Sequence, residues 1–364
     1  MDTISLCMIV KDEEPVLVRC LESAAGLYDE LILVDTGSGD RTREIARGYT
    51  DKVYDFPWTD DFAAARNFAF DRATMHYCMW LDADDVIPEA QRPAFLAVKE
   101  QDLPEADVVM LPYHTAFDAG GRPAFTCHRE RIVRNDPRFR WRGAVHEAIA
   151  PAGKVVWGTA AVEHRKAGPG DPDRNLRIFE GILARGDNLE PREQYYYGRE
   201  LYYHGRYEEA AGVLEAFLTQ GWGWEENNAD ACRVLSACYD ALHQSRFALR
   251  ALLEGLSYGR PRAELCCDVG AKYYAAQDYR RAAWWYERAL DCPPPGETGG
   301  FISPDCYGYL PCLQLCLCWY ALGDRTQAAA WNERAGTYKP DDPAYLYNRE
   351  FFGTGEEADG TRPG

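Results

Sequence analysis

Apolar and polar positions follow two rhythms along this chain. In the first half, short apolar runs alternate with amphipathic stretches. The runs at 4–10 (ISLCMIV), 30–35 (ELILVD), 52–56 (KVYDF), 76–82 (HYCMWLD) and 108–114 (VVMLPYH) read as strands. Helical spacing occupies 14–25, 41–48, 61–73 and 89–100 between them. Strands separated by helices are βαβ units, which predicts a mainly parallel sheet. ERIVR (130–134) and KVVWGTAAVEH (154–164) follow on shorter connections, so the later part of the sheet is expected to be mixed.

The texture changes at RKAGPGDPDR (165–174), a Gly-, Pro- and charge-rich stretch that reads as a loop or linker. Beyond it the pattern is nearly all helical, and it repeats. Gly198, Leu201, Ala210, Leu214 and Phe217 recur at the same offsets as Ser236, Tyr239, Ala248, Leu252 and Gly255. The next copy is Gly270, Tyr273, Ala282, Tyr286 and Ala289, and the last is Cys316, Trp319, Ala328, Asn332 and Ala335, closed by Pro340. The starts lie 38, 34 and 46 residues apart, the last interval stretched by PPPGETGGF (293–301). Small residues let two helices approach while aromatics fill the groove beside them. The pattern resembles the tetratricopeptide repeat (TPR), a helical hairpin of about 34 residues; an irregular helical bundle is the alternative.

A chain of 364 residues accommodates two domains with their own cores. Its net charge of −18 argues against a general nucleic-acid binder, which needs a basic surface. A nucleotide diphosphate is still admissible, because a divalent cation masks the local repulsion. The apolar run 4–10 is followed at once by Lys11, Asp12, Glu13 and Glu14, too short to target or span, and no later segment reaches spanning length. The 13 cysteines are scattered, without CxxC pairs or zinc-finger spacing, and read as reduced thiols used as small core residues. A soluble, cytoplasmic protein is expected.

Candidate chemistry begins at WLDADD (80–85). An apolar strand ends in Asp82, Ala83, Asp84 and Asp85, where α/β sheets bind ligands. Asp82 and Asp84 are two apart, so an extended chain would point both to one side and offer oxygens to Mg²⁺ or Mn²⁺. A solvated turn or helix cap is the plainer reading of the same residues. In LILVDTGSGDRT (31–42), Asp35 ends a strand, a tight turn follows, and Asp40 can cap the next helix. The Asp35 carboxylate is either a routine strand-end group or a partner for a nucleobase or ribose. In DFAAARNFAF (61–70), Arg66 and Asn67 interrupt an apolar helical face. Arg66 either reaches the surface or pairs with an Asp, or it meets base or phosphate, which its planar donors fit.

Together CMIVKDEE (7–14), VDTGSGDRT (34–42), AARNFAF (64–70) and WLDADD (80–85) resemble the family 2 glycosyltransferases of the GT-A fold, in the family's order and at about its spacing, over residues 3–165. That resemblance implies an α/β fold with a Rossmann-like, mostly parallel sheet, followed here by an all-α TPR-like superhelix. The expected division is a catalytic domain over 1–168, a linker over 169–192, repeats over 193–350 and a flexible tail over 351–364. It also implies that Val10 and Glu13 line the base pocket, Asp35 holds base or ribose, and Arg66 helps place the nucleotide. Asp82 would contact ribose or metal-bound water, and Asp84 would ligate a divalent metal bridging the diphosphate. UDP is the usual nucleotide of the family, so a UDP-sugar is the expected donor, with Mn²⁺ or Mg²⁺. Family members with this N-terminal pattern often carry a pair like His146-Glu147. Glu147 is therefore the candidate general base for an inverting transfer, a structural ion-pair partner being the alternative. In many GT-A enzymes a late histidine joins the metal shell, which assigns His164 to that role against a plain strand-end histidine. Lys166 and Arg174 would close over the diphosphate, with 165–174 as a lid, or are surface basic residues.

A catalytic domain followed by TPR-like repeats is also similar to the sublancin-type peptide S-glycosyltransferases. This similarity implies a peptide or protein acceptor and a homodimer, with a glycan as the other acceptor class. The repeats would supply a concave surface for a peptide or a second subunit. Two rival readings exist: a catalytically inactive domain with a TPR scaffold for protein interaction, and a nucleotidyltransferase. Asp35, Arg66, Asp82 and Asp84, all present, count against the first. The acidic VKDEEP (10–15), where a basic phosphate loop would stand, counts against the second.

Overall fold

A computed structural model describes residues 2–168, 170–293, 296 and 299–353. The chain divides into two compact units, residues 1–223 with 297–301, and residues 224–296 with 302–364.

The first unit is built on a mixed sheet. Its strands are β1 (Ile4–Val10), β2 (Glu30–Asp35), β3 (Val53–Asp55), β4 (Tyr77–Trp80), β5 (Asp85–Val86), β6 (Val108–Phe117) and β7 (Pro123–Arg134). A two-stranded ribbon follows, β8 (Trp141–Arg142) with β9 (Ala148–Ile149), before β10 (Val155–Trp157) and β11 (Val162–His164). The sheet order is β3-β2-β1-β4-β7-β6-β11-β5, with β10 also on β6. The pairs among β1 to β4 are parallel, β7 runs antiparallel to β4 and β6, and β5 runs antiparallel to β11.

Helices α1 (Leu17–Ala24), α2 (Thr42–Arg47), α3 (Phe62–Phe70) and α4 (Arg92–Ala97) cover the sheet. Strands buried on both faces read as unbroken apolar runs, which is why β1 and β2 stand out in the sequence. Leu6, Met8 and Val10 of β1 join Leu31 and Leu33 of β2 in one core layer with α1. Cys7, Ile32 and Val34 pack into the other with Ala63, Ala69 and Phe70 of α3. The expected strand over 154–164 is two strands, β10 and β11, each laid on β6. Strand β7 begins well before the expected Glu130, and its first half pairs with the far half of β6.

Nine further helices follow α5 (Arg174–Ala184) among the described residues. They are α6 (Pro191–Tyr203), α7 (Tyr207–Gln220), α8 (Glu225–Ala241), α9 (Ser245–Gly255), α10 (Ala263–Ala275), α11 (Tyr279–Asp291), α12 (Tyr309–Ala321), α13 (Arg325–Gly336) and α14 (Pro343–Gly353). α6/α7, α8/α9, α10/α11 and α12/α13 form hairpins, the last three in the second unit. The repeat register of the sequence is the packing register. A Cβ on Gly198 would meet Leu214 at 2.6 Å, and one on Gly270 would meet Tyr286 at 3.0 Å. Each hairpin turns at a left-handed residue, Gly205, His243, Gln277 and Gly323, spaced as the repeats are. All 13 cysteines are unpaired, and all but Cys292 are buried. No helix among the described residues is long and apolar enough to cross a membrane. Of the expected tail, 351–353 complete α14 and the remainder lies outside the described residues.

Candidate active site

Strands β2, β1 and β4 end side by side, and the loops leaving them carry the acidic residues singled out in the sequence. β1 lies between β2 and β4, so the chain departs to one side and returns on the other, a switch point of the kind where open α/β sheets bind ligands. Val10 and Asp35 are register partners at these strand ends.

The loops after β1 and β2 are zipped together. Thr36 N donates to Val10 O (3.0 Å), Asp12 N to Ser38 Oγ (3.0 Å), Gly39 N to Asp12 Oδ1 (2.7 Å), Glu13 N to Thr42 Oγ1 (2.7 Å) and Glu14 N to Asp40 Oδ2 (3.1 Å). Asp40 also accepts from Thr42 N (2.9 Å), but the N-cap position of α2 is Arg41 and has no side-chain cap bond, which corrects the expected Asp40 cap. Asp35 is buried and its carboxylate is taken up by the protein: Ser38 donates through N and Oγ, and Arg43 through Nη2. Burial opposes its charge, but Ser38 and Arg43 outweigh it and hold the carboxyl below the usual carboxylate range.

Glu13 is held by this zipper in an acidic neighbourhood. Burial, then the charges of Asp84, Asp82 and Asp40, push its carboxyl up to about 7, with Arg174 opposing. A carboxyl raised in this way at a strand-end loop marks a place where negative charge is concentrated and a cation is welcome.

After β4 the backbone does not stay extended. Asp85 N donates to Asp82 O (3.0 Å) and Asp82 N to Asp85 Oδ2 (3.0 Å), closing a turn over 82–85. Asp82 and Asp84 therefore go to different partners, which corrects the expectation of two carboxylates displayed together by an extended strand. Asp82 Oδ1 accepts from Arg66 Nη2 (2.6 Å), and Arg66 Nε donates to Glu147 Oε1 (2.6 Å). Burial works against ionisation of Asp82, yet Arg66 brings its carboxyl down to about 2. The guanidinium of Arg66 is buried between Trp80 and Trp141, 5.0 and 4.8 Å from the ring centres, and its Nη1 has no partner. Asn67 fixes Trp141 by exchanging hydrogen bonds with its backbone N and O (2.9 and 3.0 Å). Arg66 and Asn67, the polar pair interrupting α3, thus tie that helix to the turn after β4 and to the 141–147 segment.

Asp84 pairs with the last residue of β11: His164 Nδ1 lies 3.2 Å from Asp84 Oδ1 and 3.4 Å from Asp85 Oδ1. Arg165 N donates to Asp84 O (2.9 Å), locking the two segments together. Burial disfavours a charged His164, but Asp84 and Asp85 overcome it and the imidazole is pushed up to about 10. Asp84, Asp85 and His164 offer ligand atoms within 4.8 Å of one another. Asp84 and His164 each keep 20% of the side chain exposed, whereas Asp85 has none. Carboxylate oxygen with imidazole nitrogen suits Mn²⁺ or a similar borderline cation. The residues fit a divalent metal held by Asp84 and His164.

Glu147 follows His146, which has a left-handed backbone (φ 53°). Helix α6 braces this corner. The His146 ring stacks on Tyr196 at 4.0 Å, its Nε2 lies 3.1 Å from Glu200 Oε1, and Arg192 Nε donates to His146 O (3.1 Å). Burial lowers the His146 imidazole, against the pull of Glu200. Lys166 is exposed beyond β11 and makes no ion pair among the described residues, so it is not brought into either cluster. Arg174, at the start of α5, stacks over Phe62 at 4.6 Å and acts on Glu13. Tyr113, Arg131, Tyr196 and Glu200 carry no site role in the sequence expectations. Charged residues inside RERIVR, a run that otherwise reads as buried strand, were the available signal for Arg131.

Residues 5–150 match the model of glycosyl transferase family 2. A TPR repeat-containing protein of Synechococcus elongatus is 32% identical over 299 residues, 80% of this chain and 67% of that one. The SPbeta prophage-derived glycosyltransferase SunS of Bacillus subtilis is 25% identical over 303 residues, covering 77% and 66%. The lipopolysaccharide core biosynthesis glycosyltransferase LpsC of Rhizobium meliloti is 29% identical over 163 residues, covering 42% and 58%. The chain spans about two thirds of the length of the first two of these relatives. On these similarities, and with helical hairpins following its mixed sheet, the chain belongs to the family 2 glycosyltransferases and carries TPR-like repeats C-terminal to its GT-A domain.

Proposed function

We propose that the protein is an inverting, metal-dependent glycosyltransferase that moves a sugar from a UDP-sugar to a peptide, protein or glycan acceptor. The observation that carries this reading is the pair of clusters after β4. Asp84 with His164 stands ready for a cation, and Asp82, Arg66 and Glu147 are joined beside it in one chain of ion pairs.

A cation bound at Asp84 and His164 would supply charge neutralisation for the β-phosphate oxygen as the sugar–phosphate bond breaks. Val10, Glu13 and Asp35, at the ends of β1 and β2 and in the loop between, would hold base and ribose. Asp35 would reach them by exchanging one of its present partners, Ser38 or Arg43. Arg66 fixes the Asp82 carboxylate for a ribose hydroxyl. Glu147 uses Oε1 for Arg66, which leaves Oε2 for the acceptor proton. The acceptor loses that proton as its nucleophile bonds to the anomeric carbon. The bond from that carbon to the phosphate oxygen breaks with its electron pair going to UDP, and configuration inverts. Arg174 is better placed than Lys166 to meet the diphosphate, being already within influence of Glu13. Water has to be excluded or the donor hydrolyses, and the stretch 165–174 leading into α5 is our candidate for the cover. The resemblance to the sublancin-type peptide S-glycosyltransferases favours a peptide acceptor and a homodimer through the repeats, and 13 unpaired thiols suit a cytoplasmic setting.

The test is release of UDP from a panel of UDP-sugars by the full chain, with Mn²⁺ and with EDTA, for wild type and Asp84→Asn. The proposal expects metal-dependent turnover by wild type and none by the variant. Equal turnover in EDTA, or by Asp84→Asn, would remove the metal assignment. Absence of UDP release and of any UDP-linked thermal shift would favour an inactive scaffold.

A further inference from the structure

Asp85 is the third member of the Asp84, Asp85 and His164 cluster, yet its surroundings are those of a support. Its side chain has no exposed surface, and both of its carboxylate oxygens accept from protein donors. Oδ2 accepts from Arg131 Nη1 (3.0 Å) and Asp82 N (3.0 Å). Oδ1 accepts from the Tyr113 hydroxyl (2.7 Å), whose oxygen lies 3.0 Å from His164 Nδ1. A hydroxyl has one proton, and a carboxylate can only accept, so Tyr113 donates to Asp85 and accepts from His164 Nδ1–H, which leaves Nε2 as the His164 nitrogen for a cation. Four strands contribute to this relay: Arg131 from β7, Asp85 from β5, Tyr113 from β6 and His164 from β11.

Arg131 is also fully buried, with its guanidinium 3.7 Å from the Trp80 ring and 4.6 Å from the Tyr113 ring. Its Nη1 bonds the Trp80 carbonyl as well (3.2 Å), while Nε and Nη2 have no partner. A fully buried ion pair with two unmatched donors is a poor stabiliser against an apolar replacement of equal volume. What it does provide is geometry. It pins the 82–85 turn through Asp82 N and sets the rotation of the His164 ring through Tyr113.

We infer that Asp85, Tyr113 and Arg131 are positioning residues that preset Asp84 and His164 for a divalent cation, and that Asp85 is not itself a ligand. This rests on the metal reading above. Groups that orient metal ligands from behind typically change affinity by about 10–100-fold when removed.

The test titrates Mn²⁺ into the full chain with saturating UDP, reading free Mn²⁺ by electron paramagnetic resonance, with melting in EDTA as the fold control. Tyr113→Phe removes one oxygen and keeps the ring on Arg131. It is expected to weaken Mn²⁺ binding about 10–100-fold with its EDTA melting temperature near that of wild type. Asp84→Asn is expected to abolish binding, and Asp85→Asn to behave as Tyr113→Phe. Should Asp85→Asn fail to fold, Tyr113→Phe decides. Wild-type binding by Tyr113→Phe while Asp84→Asn binds none overturns the positioning role alone. Complete loss in Asp85→Asn with a silent Tyr113→Phe makes Asp85 a ligand and also overturns it. No Mn²⁺ uptake by wild type overturns the metal reading, and the inference with it.

Discussion

Removing Arg66 should be among the most damaging single changes available in the first unit, and its partner should soften the blow. The Arg66 side chain is 8% exposed and that of Glu147 is 9%, so their contact at 2.6 Å is desolvated, while Asp82 keeps 32% of its surface. Arg66→Met preserves much of the volume between Trp80 and Trp141 but leaves Glu147 a buried carboxylate without its ion-pair partner. Breaking such a pair from one side costs about 3–5 kcal/mol. Glu147→Gln keeps an acceptor for Arg66, which retains Asp82, and should cost about 1–2 kcal/mol. In the double variant no charge is stranded at 147, so the cost should fall short of the sum by about 1–3 kcal/mol. For a unit of this size each kcal/mol moves the melting temperature by about 2–4 °C, so Arg66→Met should melt roughly 6–20 °C early. Urea unfolding of all four forms in EDTA measures the cycle. Additivity within about 0.5 kcal/mol would refute the claim that Glu147 is energetically committed to Arg66.

Two carboxyls should respond to pH with opposite signs. Glu13 is pushed up to about 7 in the folded chain, so the fold is disfavoured as pH rises from the unfolded value near 4.5 through 7. Glu13→Gln should therefore stabilise the protein in EDTA at pH 8 by about 1–3 kcal/mol and hardly at pH 4, and an unchanged difference across that range would contradict it. Glu30, buried with Ser5, Thr74 and Lys52 as partners, is brought down to about 2 against the effect of burial, so its contribution is complete above pH 4.5 and is lost as pH falls toward 2. Glu30→Gln should cost about 2–3 kcal/mol at pH 7 and converge on wild type in acid unfolding near pH 2. In the repeats, Gly198→Ala drives a methyl into Leu214 and should cost about 1–3 kcal/mol. Gly212→Ala, exposed on α7 with open space around it, should gain about 0.5–1 kcal/mol, and the same sign for both would refute the packing register.

Much of the fold was legible because its signals are local. β1 and β2 are apolar runs bounded by charge or turn residues, and their ends match the sequence reading. The repeats were legible because a residue such as Gly198 leaves a gap that only a small side chain permits, and the gap recurs. The first half of β7 was missed because Thr126, His128 and Arg129 lie among its apolar positions, on a strand only half buried. At the site, residue types at strand ends were readable, but their pairings were not. Arg66 finds Glu147 81 positions away, and Arg131 finds Asp85 46 positions away, contacts that only the folded sheet creates. At 82–85 an extended end and a turn were both open from sequence, and the turn is decided by the Asp85 carboxylate accepting from Asp82 N, a side chain that reads as a solvated acid.

Crystals of the full chain grown with UDP and Mn²⁺ and measured at the manganese absorption edge would address the catalytic proposal most directly. The geometry predicts an anomalous peak about 2.0–2.3 Å from an oxygen of Asp84 and a nitrogen of His164, shared with the UDP diphosphate, and none on Asp85. UDP bound with its diphosphate away from Asp84, or manganese held elsewhere, would contradict it.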